Sequence, residues 1–301
     1  FEYTADANYD TFAFTPHMPK LNTANPEVQD YLIDIATYWI KEFDIDGLRL
    51  DVAYCLDHDF VRRLRSFCNE LKPDFFLVGE TLHGDYNQLM NDEMLHSVTN
   101  YECYKGLYSS FNCMNMFEIN HSLLRQFGPE NWTLYKGKHL LSFVDNHDVT
   151  RVASILTNKN HLPLIYALAF GMPGIPCVYY GSEWGAEGRK EDGDPALRPS
   201  FEKPEWNDLT EWISKLAEAK KQSKALQYGN FMSKVLTNGQ CVFEREWEGE
   251  RVYVAINAAD SPFYAGFDAG AAEATDLITG EKIALNGGFE IPGYRAFFLR
   301  V

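Results

Sequence analysis

The sequence predicts an α/β domain of the (β/α)8-barrel type followed by an antiparallel all-β domain. Before about residue 228, short apolar strands alternate with amphipathic helices, an order typical of a parallel sheet whose site lies at the strand C-termini. From about Gly229, alternating runs are separated by Asn-Gly, Glu-Gly and Gly-Gly turns, which indicate antiparallel hairpins. We therefore assign residues 1–227 to a portion of a barrel and residues 228–301 to a C-terminal β-sandwich domain.

Composition excludes several classes of partner. The 301 residues are 46% hydrophobic and 15% aromatic, enough for one large domain and a small one. The net charge of −16 argues against nucleic acid and anionic membranes, which bind clustered Lys and Arg. No apolar run is long enough to span a bilayer, and the longest, around Leu162–Met172, contains Pro163. A neutral substrate is the remaining expectation.

The cysteines and histidines give no metal signature. Six scattered cysteines form no CxxC pair, so we expect free thiols and a reducing, cytoplasmic compartment. His58 lies between Asp57 and Asp59, but capping of a following helix explains these two acids better than a metal does. No metal site is predicted.

The first hundred residues contain clear signals for where helices and strands begin and end. Residues 1–22 show no periodicity and predict a loop, whereas Asn25 and Pro26 are typical of a helix start. The predicted elements that follow are a helix after Asn25 with an apolar stripe from Val28 to Ile40, a strand ending at Asp51, a helix over about Asp59–Leu71, a strand over Phe75–Gly79 ending at Glu80, and a strand over Met94–Tyr101.

The rest of the barrel portion supplies two more strands. The predicted elements are a helix over Asn115–Phe127, a strand over His139–Val144, a helix over Leu162–Phe170, a strand over Ile175–Tyr180 and a helix over Trp206–Lys224. Cys241–Arg245, Arg251–Asn257 and Ala296–Val301 are predicted antiparallel strands. Only five parallel strands are counted where a closed barrel needs eight, so we expect the chain to be the back portion of a longer polypeptide.

Charged residues within the first strand are unusual. Arg49 and Asp51 are two residues apart and leave the same face of a strand that should be apolar. They form either a buried structural ion pair or an active-site carboxylate kept ionised by a guanidinium. Two further carboxylates at strand ends, Glu80 and Asp148, favour the second interpretation.

Six motifs in order resemble the α-amylase family of glycoside hydrolases. They are Met18-Pro19-Lys20-Leu21-Asn22, Gly47-Leu48-Arg49-Leu50-Asp51, Val78-Gly79-Glu80, Phe143-Val144-Asp145-Asn146-His147-Asp148, Gly174-Ile175-Pro176-Cys177-Val178-Tyr179-Tyr180-Gly181 and Asp194-Pro195-Ala196-Leu197-Arg198. The first motif is similar to the one that marks the neopullulanase, cyclomaltodextrinase and maltogenic amylase branch.

The resemblance implies a role for each motif. It implies that Asp51 is the nucleophile, Glu80 the general acid/base and Asp148 the carboxylate that stabilises the transition state. It also implies that four residues bind substrate: Arg49, His147, Asp194 and Arg198. Structural alternatives remain for each: Glu80 as the start of a loop, Asp148 as a helix cap, His147 as a core imidazole, and Asp194 with Arg198 as an exposed ion pair.

The chemistry of a retaining glycosidase requires such a set. One carboxylate attacks the anomeric carbon while another, about 5–5.5 Å away, protonates the leaving oxygen. Arg49 would keep Asp51 ionised, and a partly apolar pocket would let Glu80 hold a proton. We therefore expect activity to fall on both the acidic and the alkaline side of neutral pH.

The predicted activity is hydrolysis of α-1,4 bonds, with α-1,6 bonds left open. The implied substrates are maltooligosaccharides, cyclodextrins, starch or pullulan, with no cofactor and with calcium not assignable to these residues. Tyr54-Cys55 stands where this branch often has Asn-Glu, so a transglycosylating amylase is an alternative. In the family, the third barrel strand ends in an Asp…Asn-His motif, and this sequence has no counterpart of it. A second alternative is therefore that the chain is a catalytically incomplete piece of such an enzyme. A homodimer is also expected, because an opened barrel exposes strand edges.

Overall fold

The computed structural model describes residues 9–12 and 17–301. The chain divides into two compact units, Phe1–Thr99 and Asn100–Val301. The loop predicted over residues 1–22 lies partly outside the described residues; within it, Thr11 and Pro19 form an antiparallel bridge. The domain boundary predicted at 227/228 falls inside the second unit and stays a prediction.

The first unit contains a parallel sheet with two helices. Its main elements are α1 (Pro26–Phe43), β1 (Gly47–Leu50), α2 (His58–Leu71), β2 (Phe76–Gly79) and β3 (Ser97–Val98). The strands are parallel in the order β1-β2-β3. Leu50 is level with Gly79, so the C-terminal ends of β1 and β2 lie side by side. The residues that follow these two strands are therefore neighbours.

The predicted helix starts of this unit are confirmed. The Asn25 side chain accepts a hydrogen bond from the Glu27 N–H at 2.9 Å, ahead of Pro26 at the first turn. Asp57 caps α2 by accepting from the Phe60 N–H at 3.0 Å. The predicted apolar stripe of α1 is only partly buried, because Tyr31 and Trp39 are exposed while Ala36 and Ile40 are buried.

The second unit begins with helices around a pair of parallel strands. These elements are α3 (Tyr101–Asn112), α4 (Met116–Phe127), β4 (Leu141–Phe143), α5 (Val152–Ile155), α6 (Leu162–Gly171), β5 (Ile175–Cys177), α7 (Asp194–Leu197), α8 (Asp208–Gln222) and α9 (Lys224–Tyr228). β4 pairs with β5 in parallel, with Leu141 level with Ile175. The segment after each of these strands carries predicted site residues.

Three predicted elements differ from the structure. The strand predicted over Met94–Tyr101 is only two residues long, Ser97–Val98. It cannot reach Tyr101, because the Asn100 side chain accepts from the Cys103 N–H and starts α3. The strand predicted to Tyr180 ends at Cys177. The helix predicted over Trp206–Lys224 is α8 and ends at Gln222, because Ser223 caps a separate helix, α9, through the Leu226 N–H.

The C-terminal strands form the antiparallel sheets that the sequence predicts. They are β6 (Asn230–Leu236), β7 (Gln240–Trp247), β8 (Glu250–Asn257), β9 (Phe263–Gly266), β10 (Glu273–Asp276), β11 (Lys282–Ala284), β12 (Gly288–Ile291) and β13 (Arg295–Arg300). Six of them form one sheet in the order β11-β10-β13-β8-β7-β6, and β12 pairs with β9. A core including Val242, Tyr253, Phe289 and Leu299 lies against these strands.

Two buried cations join elements of the second unit: Lys220 joins α8 to α6 and α9, and Arg245 joins the large sheet to the ends of α6 and α9. The Lys220 ammonium donates to the carbonyls of Phe170 and Leu226 at 3.0 and 2.9 Å. The Arg245 guanidinium on β7 donates to the carbonyls of Gly171 and Gly229 at 2.8 and 2.9 Å. These carbonyls lie at helix C-termini and lack partners within the helix. The two cations therefore donate hydrogen bonds to them and neutralise the negative ends of the helix dipoles.

The structure also bears on the prediction that the chain has no membrane span. Across residues 9–12 and 17–301, the helices are too short or too polar to cross a bilayer.

Candidate active site

Three predicted site residues meet at the ends of β1 and β2. Asp51 follows β1 and Glu80 follows β2, and Arg49 lies between the two carboxylates. The Arg49 Nη1 atom forms an ion pair with Asp51 Oδ1, and its Nη2 atom lies 3.1 Å from Glu80 Oε1. One guanidinium thus contacts both of the predicted catalytic carboxylates in the first unit, Asp51 and Glu80.

The two carboxylates differ in exposure. Glu80 is 6% exposed, and its second oxygen, Oε2, accepts from the Val52 N–H at 3.0 Å. The Asp51 side chain is 58% exposed. Both Glu80 oxygens therefore face hydrogen-bond donors, so the surroundings of this carboxyl are polar rather than the partly apolar pocket expected from the sequence.

A strained turn follows the end of β1. Val52 has φ 42°, a left-handed conformation that is rare for a β-branched residue. This conformation directs the Val52 N–H to the Glu80 side chain, and the Ala53 N–H donates to the Glu80 carbonyl at 2.9 Å. Gly79, at the end of β2, allows Ala53 and Leu95 to pack closely against its backbone. A Cβ at position 79 would lie 2.7 Å from Ala53 Cβ and 2.4 Å from Leu95 Cδ1.

An aromatic pair lies beside these carboxylates. Tyr54, two residues beyond the strained turn's start, has its ring centroid 6.0 Å from that of His83. Burial raises the pKa of the Tyr54 hydroxyl, and the charges of Cys55, Glu80 and Asp51 raise it further. Nothing in the sequence indicated a role for His83, because its loop carries no motif and its position depends on where β2 ends.

In the second unit, His147, Asp148 and Arg198 come together. Asp148 Oδ2 lies 3.1 Å from His147 Nε2, and Asp148 Oδ1 lies 3.1 Å from Arg198 Nη2. Arg198 Nε also donates to the His147 carbonyl at 3.3 Å. The side chains of all three are 35–46% exposed, so they form an open, charged group.

A local turn holds this group in place. The Asn146 side chain accepts from the Asp148 N–H at 2.8 Å, and its Nδ2 donates to the Tyr101 hydroxyl at 2.9 Å. The side chain of Asn146 thus mimics a backbone turn and fixes the direction of Asp148. Asp148 does not cap a helix, because Arg151 occupies the N-cap position of α5.

Arg151 is the main residue that the sequence missed. It is fully buried, and its guanidinium donates to the carbonyls of Tyr180 and Leu197 at 2.8 and 2.9 Å. It also lies 4.6 Å from the centroid of the Tyr179 ring. Arg151 thereby joins the segment after β4 to the segment that carries Arg198.

Asp145 lies beneath the same turn. Its Oδ2 atom accepts from the Val152 N–H and the Ser182 hydroxyl, both at 2.8 Å. Burial raises the pKa of the Asp145 carboxyl to about 6, partly opposed by these hydrogen bonds and by the charge of Arg151. Asp145 is therefore a buried acid that titrates near neutral pH.

Asp194 stands apart from the residue predicted to accompany it. Its backbone carbonyl accepts from the Arg198 N–H at 2.8 Å, but within the described residues its carboxylate has no ion pair. The Arg198 guanidinium contacts Asp148 instead. The alternative of an exposed Asp194–Arg198 ion pair is therefore wrong.

The acids around His58 serve the helix. Asp57 caps α2, and Asp59 pairs with Arg62 at 2.7 Å. In the part of the chain that is described, His, Cys, Asp and Glu side chains form no group of three or more suited to a metal ion.

Comparison with known proteins covers almost the whole chain. Residues 2–232 match the family model described as alpha amylase, catalytic domain. The chain is 34% identical over 297 residues to the cyclomaltodextrinase of Geobacillus thermopakistaniensis, covering 92% of this chain and 48% of that protein. It is 37% identical over 231 residues to the intracellular maltogenic amylase of Bacillus subtilis, covering 73% and 38%.

Solved structures agree with this assignment. The Anoxybacillus α-amylase superimposes with a TM-score of 0.81 and 27% identity, covering 94% of this chain and 64% of that one. The maltogenic amylase from S. marinus has a TM-score of 0.74 and 25% identity, covering 97% and 41%. The chain spans about half the length of the curated relatives it matches. The fold class is thus a barrel-type catalytic domain followed by an antiparallel domain, and the chain belongs to the α-amylase family.

Proposed function

We propose that the protein is a retaining α-glucan hydrolase that cleaves α-1,4-glucosidic bonds by double displacement. The observation that carries this proposal is the placement of Asp51 and Glu80 at the ends of two adjacent parallel strands, joined by Arg49. Two carboxylates at neighbouring strand ends are what a retaining glycosidase uses. Maltooligosaccharides, cyclodextrins, starch or pullulan are the proposed substrates, as the names of the related cyclomaltodextrinases and neopullulanases suggest.

Each carboxylate has a distinct proposed role. Asp51, exposed and paired with Arg49, attacks the anomeric carbon. Glu80 protonates the leaving oxygen and later deprotonates water. To carry that proton, one of its oxygens must exchange its contact with Arg49 or Val52 for a hydrogen. Asp148 stabilises the oxocarbenium-like transition state, and His147, Arg198 and Asp194 bind sugar hydroxyls. Two carboxylates supply the bond-breaking steps, so no cofactor is required.

The test separates the proposed role of Glu80 as proton donor from that of Asp51 as nucleophile. α-Maltosyl fluoride has a leaving group that needs no proton, so Glu80→Gln should retain far more activity on it than on maltotriose. Asp51→Asn should be inactive on both substrates. NMR of the first-formed product should show the α-anomer. Inactivity of the unaltered chain, together with aggregation on gel filtration, would instead identify a catalytically incomplete piece.

Transfer to a second sugar is the alternative activity. Tyr54 and His83 place an aromatic pair beside Asp51 and Glu80. Such rings stack on a sugar and exclude water, which favours an acceptor sugar over hydrolysis. High maltotriose concentrations should then give products longer than maltotriose, and Tyr54→Ser should shift the balance to glucose and maltose.

Homodimerisation and a cytoplasmic location are the remaining proposals. On α1, Tyr31, Tyr38 and Phe43 are 56–66% exposed, and in the described part of the chain β1 pairs along one edge only. Gel filtration should therefore show a mass above that of one chain. The six cysteines are free, and a relative is named intracellular, which supports a reducing compartment.

A further inference from the structure

A cavity in the second unit is lined by none of the predicted site residues His147, Asp148 and Arg198. It has a volume of about 310 Å³, within the range of small-molecule sites. It opens where the end of α3 and the turn before α6 meet two loops of the C-terminal sheets. The lining residues that matter here are Phe111, Met114, Asn158, His161, Asp260 and Tyr294.

Aromatic rings form one wall of this cavity. The His161 ring lies 5.3 Å from the Phe111 ring and 5.8 Å from the Tyr294 ring, measured between centroids. Phe111 and His161 are buried, while Tyr294 is half-buried at the opening. A ring in this position offers an apolar face to a ligand.

Two residues of the lining, Met114 and Tyr294, have a strained backbone conformation. Met114 has φ 49° and Tyr294 has φ 53°, conformations that glycine would adopt without strain. Tyr294 is fixed further by its N–H, which donates to the Ala259 carbonyl at 2.9 Å, and by its hydroxyl, which accepts from Asn158 Nδ2 at 3.1 Å. The Tyr294 ring is therefore held in a defined orientation before any ligand arrives.

Polar groups at the opening have hydrogen-bonding capacity left. The Tyr294 hydroxyl accepts from Asn158, and its own hydrogen has no acceptor within residues 9–12 and 17–301. Asp260 is exposed, and no described side chain pairs with its carboxylate. One donor and one strong acceptor thus flank the aromatic wall.

The buried imidazole adds no charge. His161 Nε2 lies 2.9 Å from the Ala258 carbonyl, and burial lowers the pKa of the ring. The net charge of the chain is −16, and Asp260 adds to the local negative charge. An anionic ligand is therefore disfavoured, whereas a neutral molecule with hydroxyl groups matches the donor, the acceptor and the ring.

We propose that this cavity is a non-catalytic binding site for the end of an α-glucan chain. A glucosyl unit would stack on Tyr294, donate from its hydroxyls to Asp260 and accept from the Tyr294 hydroxyl. The choice of glucan rests on the proposed function, but the site does not depend on the catalytic roles. Its purpose would be to hold the substrate chain on the protein and so raise its local concentration.

Isothermal titration of the full chain with maltotriose tests the proposal. The Glu80→Gln background prevents turnover, and Tyr294→Phe and Asp260→Asn are added singly. Each should weaken one class of binding by about 5-fold or more, as expected for loss of one hydrogen bond. Asp260→Asn changes an exposed group and should leave folding intact. Tyr264→Phe on β9, which removes the hydroxyl of a 58% exposed tyrosine, is the matched control and should change nothing.

The outcomes are distinct. Maltotriose binding that is unchanged in both variants overturns the proposal, as does binding of tetramethylammonium, a quaternary ammonium cation, in place of maltotriose. Tyr294-dependent binding by a chain that fails to hydrolyse α-maltosyl fluoride would refute the proposed catalysis and leave this site standing. Hydrolysis without Tyr294-dependent binding would do the reverse.

Discussion

The Nη2 atom of Arg49 lies 3.1 Å from Oε1 of Glu80, a residue 31 positions further along the chain. The same guanidinium forms an ion pair with Asp51. The parallel register of β1 and β2 brings these groups to one edge, since Leu50 is level with Gly79. Arg49 thus holds together the two carboxylates on which the proposed chemistry depends.

Arg49→Ala should lower kcat on a chromogenic maltoside by about 100-fold or more. Without the guanidinium, Glu80 loses a charged partner in a site where it is 6% exposed, and both carboxylates can move. Arg49→Lys should recover only part of the activity, because an ammonium cannot form both contacts in the same plane. The matched control is Arg63→Ala, which removes an exposed pair with Asp30; equal losses in both variants would contradict a special role for Arg49.

Gly79→Ala should destabilise the fold by about 1–3 kcal/mol. The added Cβ would lie 2.4 Å from Leu95 Cδ1, and relieving that overlap moves the end of β2, where Glu80 follows. Urea unfolding measures the loss. Gly106→Ala on α3 is the control, because its Cβ would meet Ile119 at an ordinary 3.4 Å and should leave stability unchanged or raised. A fully stable Gly79→Ala variant would show that the turn after β1 can adapt.

Asp145→Asn should flatten the pH dependence of stability between pH 4 and 6. Burial raises the pKa of this carboxyl from 3.8 to about 6 in the folded protein. The folded state therefore binds the proton more tightly, so this contribution to stability is full below pH 3.8 and is lost as the pH rises through about 6. The shift corresponds to about 3 kcal/mol at most. Melting temperatures from pH 4 to pH 8 give the difference, and parallel curves for the two proteins would contradict it.

Arg198→Ala should lower kcat/KM on maltotriose by about 10-fold, or about 1.4 kcal/mol. Its guanidinium contacts Asp148 Oδ1 and the His147 carbonyl, so its loss frees both residues. Arg189→Ala, which removes an exposed contact with Glu191 at 3.5 Å, is the matched control. If the two variants behave alike, the Arg198–Asp148 contact has no part in substrate binding.

Most of the local structure could be predicted from the sequence. Asn25 with Pro26 and Asp57 start helices through bonds to residues two or three positions away, so their signals are readable in a short window. The antiparallel strands could be predicted for the same reason, because turn residues and alternation are local. The strand predicted through Tyr101 failed where the Asn100 cap competed with an apolar run.

The sequence by itself determined which acids follow which strands and, through its motifs, the family. Only the tertiary structure decided that Arg49 contacts Glu80, that Arg198 turns to Asp148 rather than Asp194, and that Arg151 is buried beneath Tyr179. Those contacts join residues about 30 to 50 positions apart, and strand register and the packing of loops set them. Local propensity and spacing carry no information on either, so this part of the site had to be seen in the folded chain.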